Sequence, residues 1–106
     1  MKLPDVEEAF RSRARIVGGV VLLKPADAIE LVASCKEKGI AVFGAEGFYI
    51  IGDKIQPSMA HSFSLSDSVQ DCHETTIAFL ESHRRGDLWF EVMIDAARQQ
   101  NDDDRA

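Results

Sequence analysis

Three histidines, two cysteines and a run of serines are the side chains here whose chemistry could go beyond packing. His61 is followed by Ser62 and Ser64, and a histidine beside a hydroxyl supplies two parts of a nucleophile with its general base. A serine nucleophile also needs an oxyanion hole, and the sharp-turn signature Gly-x-Ser-x-Gly is absent. These hydroxyls are expected to bond their own backbone in a solvated loop. Cys72 and His73, with His83 further on, suggest a thiol nucleophile or metal ligands. Neither Cys-x-x-Cys nor His-x-x-x-His occurs, and neighbours on a helix point in different directions. The spacing therefore predicts no metal site and no catalytic residue: a structural Cys72, an exposed His73, and a His83 that, beside Arg84 and Arg85, adds positive charge at a helix end. The segment from Gly44 to Gly47 lacks the lysine and hydroxyl residue of a phosphate-binding loop and reads as a turn between strands, so no cofactor is expected there.

The elements that must position these residues follow from hydrophobic period and punctuation. Asp5 is placed to cap a first helix, with Glu8 completing a capping box and Val6, Ala9 and Phe10 facing inward. Residues 16–23 are β-branched and apolar, which reads as a strand buried on both sides or shielded by a helix, with a bulge or close backbone approach at Gly18 and Gly19; a helix there must accept two interior glycines at about 1 kcal/mol each. Pro25 suits a first helical position, Ala28, Ile29, Leu31, Val32 and Cys35 keep helical spacing, and Gly39 can close the helix in a left-handed conformation. Two strands, 40–43 and 48–51, are expected either side of the Gly44–Gly47 turn. Gly52 and Asp53 then turn the chain into a third strand that Pro57 closes. A serine-rich loop over 58–67 leads to a helix over 71–85, capped by Asp71 with Glu74 and ended by Gly86. Leu88, Phe90, Val92 and Ile94 alternate with Trp89, Glu91 and Met93, favouring a strand over a helix that continues into Ala96 and Ala97. The predicted fold is α+β: a mainly antiparallel sheet, meander plus C-terminal strand, packed against two or three helices, with residues 1–98 forming one domain and 99–106 a frayed acidic tail.

Composition narrows the classes of function. A chain of 106 residues with 45% apolar and 28% charged residues matches an ordinary globular domain. Its net charge of −6 argues against sequence-independent nucleic-acid binding, which needs Lys and Arg against phosphates. The longest apolar run is too short to span a bilayer and the opening residues carry no apolar signal region, so no membrane partner and a cytoplasmic location are expected. Cys35 and Cys72 could pair, but without a secretion signal two free thiols are the expectation.

The run from Pro25 to Leu31, then Lys38, Gly39, Ile40, Ala41, Val42, Phe43 and Gly44, resembles small bacterial immunity proteins of polymorphic toxin systems. In one such family a helix begins after a short apolar strand and ends in Gly-Ile before a short apolar run and a glycine. The similarity continues through a loop, the helix over 71–85 and the strand over 88–94. At 60–63 this chain has Ala60, His61, Ser62 and Phe63 where that family has a tryptophan and a tyrosine. The resemblance implies a non-catalytic protein that neutralises a cognate toxin by direct binding, with no cofactor and no enzymatic activity. An acidic domain suits that role because carboxylates can be steered onto a cationic cleft. Hairpin tips and long loops project furthest from a sheet, so Glu46, Tyr49, Asp53, His61 and Asp67 are the expected partner-binding residues. Trp89 is a further candidate aromatic anchor. The other classes are a small-molecule-binding or enzyme-accessory module with an apolar pocket between sheet and helices, and an enzyme built around His61, Cys72 and Glu74.

Overall fold

Pro25 opens helix α2 (Pro25–Lys38) from an extended Lys24, and the helix closes where Gly39 turns left-handed at φ 69°. The Gly39 amide bonds the Lys36 carbonyl at 3.2 Å and the Ile40 amide bonds the Cys35 carbonyl at 2.8 Å. This pair of bonds is a Schellman closure, which satisfies two carbonyls a helix end would otherwise leave open. A computed structural model of the chain describes residues 5–64, 71–84 and 86–95. It is an α+β fold in which α2 follows α1 (Asp5–Glu8), a 3₁₀ turn (Arg11–Arg13), β1 (Arg15–Val17) and β2 (Val20–Leu22), and precedes β3 (Val42–Ile51), β4 (Lys54–Ser64), α3 (Cys72–Ser82) and β5 (Trp89–Ile94). Strands β4, β3 and β5 form one antiparallel sheet in that spatial order, and β1 with β2 forms a second.

Several local expectations are corrected. Gly44 to Gly47 is no turn: β3 continues through it, paired with β4 and β5 on either side, although the β4 register shifts between Glu46 and Gly47. The two glycines allow β4 to approach closely, since a Cβ on Gly47 would sit 2.6 Å from the His61 carbonyl oxygen and one on Gly44 would collide with the Phe63 carbonyl. Nor does Pro57 close its strand; β4 continues to Ser64, because it lies at the sheet edge, where a missing N–H can face outward. Residues 58–64 are thus strand rather than loop, broken by a bulge in which Met59, Ala60 and His61 have no partner on β3. Gly52 and Asp53 do form the expected turn, with Gly52 at φ 64°.

Gly18 and Gly19 form a two-residue hairpin turn with φ of 58° and 82°, joining Val17 to Val20. Both-positive φ is what that turn requires. Ile16 is 38% exposed, so this segment is not buried on both sides. Leu23 then exchanges two backbone bonds with Phe90, of 2.9 and 2.7 Å, which ties the hairpin to the outer edge of β5. Val6 of α1 and Phe10 just beyond it are buried but Ala9 is exposed, and Arg11 Nε donates to Glu8 Oε1 at 2.9 Å.

Helix α3 starts after Asp71, whose side chain makes no capping bond, and Glu74 pairs with Lys36 instead of reaching back. It ends at Ser82, ahead of the expected boundary, because Ser82 Oγ and His83 Nδ1–H both donate to the Phe79 carbonyl, at 2.6 and 2.8 Å. The alternation over 88–94 is strand from Trp89 to Ile94, as expected of its type, with Phe90 and Val92 buried and Leu88 buried just ahead of it. They meet Leu23, Ala28, Leu31, Val32, Val42, Ala45 and Leu80 in one core between sheet and helices. Among the described residues no helix is long and apolar enough to cross a membrane. The expected tail, 99–106, lies outside the described residues.

Candidate functional site

Strand register assigns each candidate to a face, because directly opposed residues share one. Ala45 lies between Phe63 and Val92, on the face that packs against α2 and α3. Glu46 lies between Ser62 and Glu91, on the opposite face, and Phe48 between Pro57 and Trp89 does likewise. Tyr49 is three residues from Glu46 and so returns to the helix-side face, where it and Ile51 are 40% and 61% exposed. Pairing between β3 and β5 stops at Phe48 and Trp89, while β3 and β4 stay paired to Ile51 and Lys54. The β3–β4 hairpin therefore runs on past β5 as a two-stranded arm, with exposed Asp53 at its turn.

Of the expected partner-binding residues, the fold thus gathers Tyr49 and Asp53 on this arm and adds Ile51, which the sequence reading passed over. Glu46 points away from Tyr49. His61 sits half-buried in the bulge, and Asp67 lies outside the described residues.

Three carboxyl groups are coupled through Glu91. Glu91 opposes Glu46 directly, and burial followed by the Glu46 charge raises its affinity for a proton. Burial and the Glu91 charge push Glu7, on α1, from 4.5 up to about 7. Among the described residues none of the three forms an ion pair. Beside them the Lys24 ammonium lies 5.4 Å from the centre of the half-buried Trp89 ring, a cation–π contact.

The serine and histidine set is arranged locally. Ser58, rather than Ser62 or Ser64, is the hydroxyl next to His61, with Oγ 2.7 Å from Nδ1. Ser62 Oγ donates to the Ser58 carbonyl at 2.7 Å and accepts from the Gly47 amide at 3.3 Å, the backbone bonding expected of such hydroxyls. The His61 ring meets His83 edge-on at 5.3 Å, and His83 packs 4.5 Å from Phe79, which stacks on Phe63. His83 therefore packs against the rings of Phe79 and His61 and is bonded to the end of α3. Among the described residues no group of three or more His, Cys, Asp or Glu could hold a metal ion.

Cys72 and His73 do not diverge as their helical adjacency suggests. His73 reaches across to the end of α2, where its Nε2–H donates to the Ile40 carbonyl at 2.7 Å, and its Nδ1 then lies 3.6 Å from Cys72 Sγ. Nothing in residue spacing signals this, since the partner that swings the ring is a distant backbone carbonyl. Cys35 is buried nearby, and burial first, then the Glu7 charge, pushes its thiol up to about 12.

No protein-family model matches this chain, and no curated protein matches it.

Proposed function

We propose that this protein is an immunity protein that neutralises a cognate bacterial toxin by direct binding, using the protruding arm of the β3–β4 hairpin. The observation that carries the reading is the pairing of Tyr49 and Ile51, two exposed apolar side chains on one face of a strand end that no third strand among the described residues covers, next to Asp53. An arm ending in an aromatic and a branched aliphatic residue offers an anchor at little cost in side-chain entropy. The net charge of −6 supports the same reading, since it favours encounter with a cationic active-site cleft. The likeness of residues 25–44 to immunity proteins supplies the partner class. The interior between sheet and helices is occupied by Phe90, Leu31, Val32 and Leu80, which supports a contact on the surface over one in an apolar pocket.

The test is co-expression with a toxin encoded beside this protein, followed by measurement of cell survival and dissociation constant. Tyr49→Ala is expected to cost about 2 kcal/mol of binding and Ile51→Ala somewhat less. Asp53→Lys is expected to slow association, more so at low salt. Glu46→Lys, on the other face, should bind as wild type does. If Tyr49→Ala, Ile51→Ala and Asp53→Lys, each shown to be folded, all protect and bind normally, the arm is not the contact. If the wild-type protein binds no such toxin, the immunity reading fails.

A further inference from the structure

The last turn of α2 and the first turn of α3 meet at a group of side chains that toxin binding leaves unused. Cys35 and Cys72 are both buried, both belong to the one core cluster, and neither is in a disulfide. Backbone bonds place them at the same junction: Ile40 bonds the Cys35 carbonyl through its amide and accepts the His73 Nε2–H through its carbonyl. Their sequence neighbours confirm the crossing, because Lys36 of α2 pairs with Glu74 of α3 over the same spot.

The arrangement at Cys72 is directional. With the ring proton of His73 held on Nε2 by the Ile40 carbonyl, Nδ1 presents a lone pair to the Cys72 thiol 3.6 Å away. Cys72 is also the first residue of α3, where backbone N–H groups lack intrahelical partners, and the Asp71 side chain does not cap them. A base with a fixed tautomer and an orienting acceptor behind it are parts that activate a thiol.

We propose that Cys72 and Cys35 form a peroxide-sensitive dithiol in which His73 takes the Cys72 proton and Cys35 captures the oxidised Cys72. In the first step Cys72 Sγ gives its proton to His73 Nδ1 and attacks one oxygen of hydrogen peroxide. The O–O bond breaks, hydroxide leaves and recovers the proton from His73 as water, and Cys72 becomes a sulfenic acid. In the second step Cys35 Sγ attacks the Cys72 sulfur, the S–O bond breaks, and the departing hydroxide takes the Cys35 proton as a second water. One peroxide is reduced by two electrons and two thiols become one disulfide. The buried Cys35, whose thiol is pushed up to about 12, is excluded as the first attacker and resolves the sulfenic acid only as the departing hydroxide takes its proton. The product would staple α2 to α3 at the end of the molecule away from the hairpin arm.

The experiment treats the reduced full-length protein with hydrogen peroxide, quenches with acid, and follows free thiols and intact mass with time. Wild type should lose both thiols together, fall in mass by two hydrogens, and recover with dithiothreitol. Cys35→Ser should stop with one added oxygen on Cys72 that dimedone traps, and Cys72→Ser should keep its remaining thiol. His73→Asn, which retains a donor for the Ile40 carbonyl but no base, should oxidise roughly tenfold more slowly while melting near wild type. Wild-type thiols that outlast a small free thiol under the same treatment would overturn the proposal. So would a His73→Asn variant that oxidises at the wild-type rate, or oxidation that never yields the intramolecular disulfide. None of these results depends on toxin binding.

Discussion

Replacing Glu7 by glutamine should stabilise the protein at alkaline pH and leave it unchanged in acid. The Glu7 carboxyl holds its proton up to about 7 in the folded chain, against 4.5 when free, because burial and the Glu91 charge oppose its ionisation. Between those two values the folded chain binds a proton that the unfolded chain has released. Stability linked to Glu7 is therefore fully present below 4.5, falls as pH rises, and is lost above about 7. At about 1.4 kcal/mol for each tenfold change in proton affinity, the whole displacement would be worth about 3 kcal/mol. Glu7 is partly open to water, which screens its repulsion and reduces the expected effect to roughly 1–2 kcal/mol. Glutamine keeps the shape without the charge. Urea unfolding followed through Trp89 fluorescence, at about pH 4 and about pH 8, should give matching midpoints in acid and a higher midpoint for the variant in base. Glu74, whose carboxyl is held below its ordinary range by the Lys36 hydrogen bond, responds in the opposite direction, but it does so equally in both proteins and cancels in the difference. A variant that differs from wild type by the same amount at both pH values would refute the carboxylate argument.

Two further substitutions test the packing. Thr76 is fully buried on α3, and its Oγ1 has no hydrogen-bond partner among the described residues, so Thr76→Val should be neutral or raise stability by about 1 kcal/mol in urea unfolding. A clear loss would mean the hydroxyl has a partner. Gly44→Ala should destabilise by roughly 2 kcal/mol or more, because φ is 133° there and the new Cβ meets the Phe63 backbone, whereas Gly52→Ala, at φ 64° with open space, should cost only about 1–2 kcal/mol. Equal losses at the two positions would show that β4 does not press on β3 at Gly44.

The parts of the fold legible in the sequence are those where independent local signals agree. At α2 a proline at the first position, helical spacing of apolar residues and a left-handed glycine all point the same way, and the helix has the expected bounds. At β5 strict alternation suffices, because Phe90 and Val92 face the core while Trp89 and Glu91 do not. The failures lie where a local signal has two tertiary readings. Glycine permits a turn and also permits a close strand, and only the β4 backbone, far along the chain, selects the second at Gly44 and Gly47. Proline stops a central strand but not an edge strand, and the edge position of β4 is likewise a long-range fact.

The same ambiguity divides the candidate site. If Gly44 to Gly47 were a turn, Glu46 would sit at its tip and share a projecting surface with Tyr49. Because the segment is a strand, period two puts Glu46 opposite Glu91 and sends Tyr49 to the other face. Asp53 was legible because its turn is set by the two residues that form it. Cys72 and His73 were not, because the Ile40 carbonyl that orients the ring becomes available only once α2 has ended and packed beside α3. The chain thus carries its two chemically distinctive places at opposite ends: an exposed arm whose turn can be read locally, and a buried thiol junction that exists only after the helices cross.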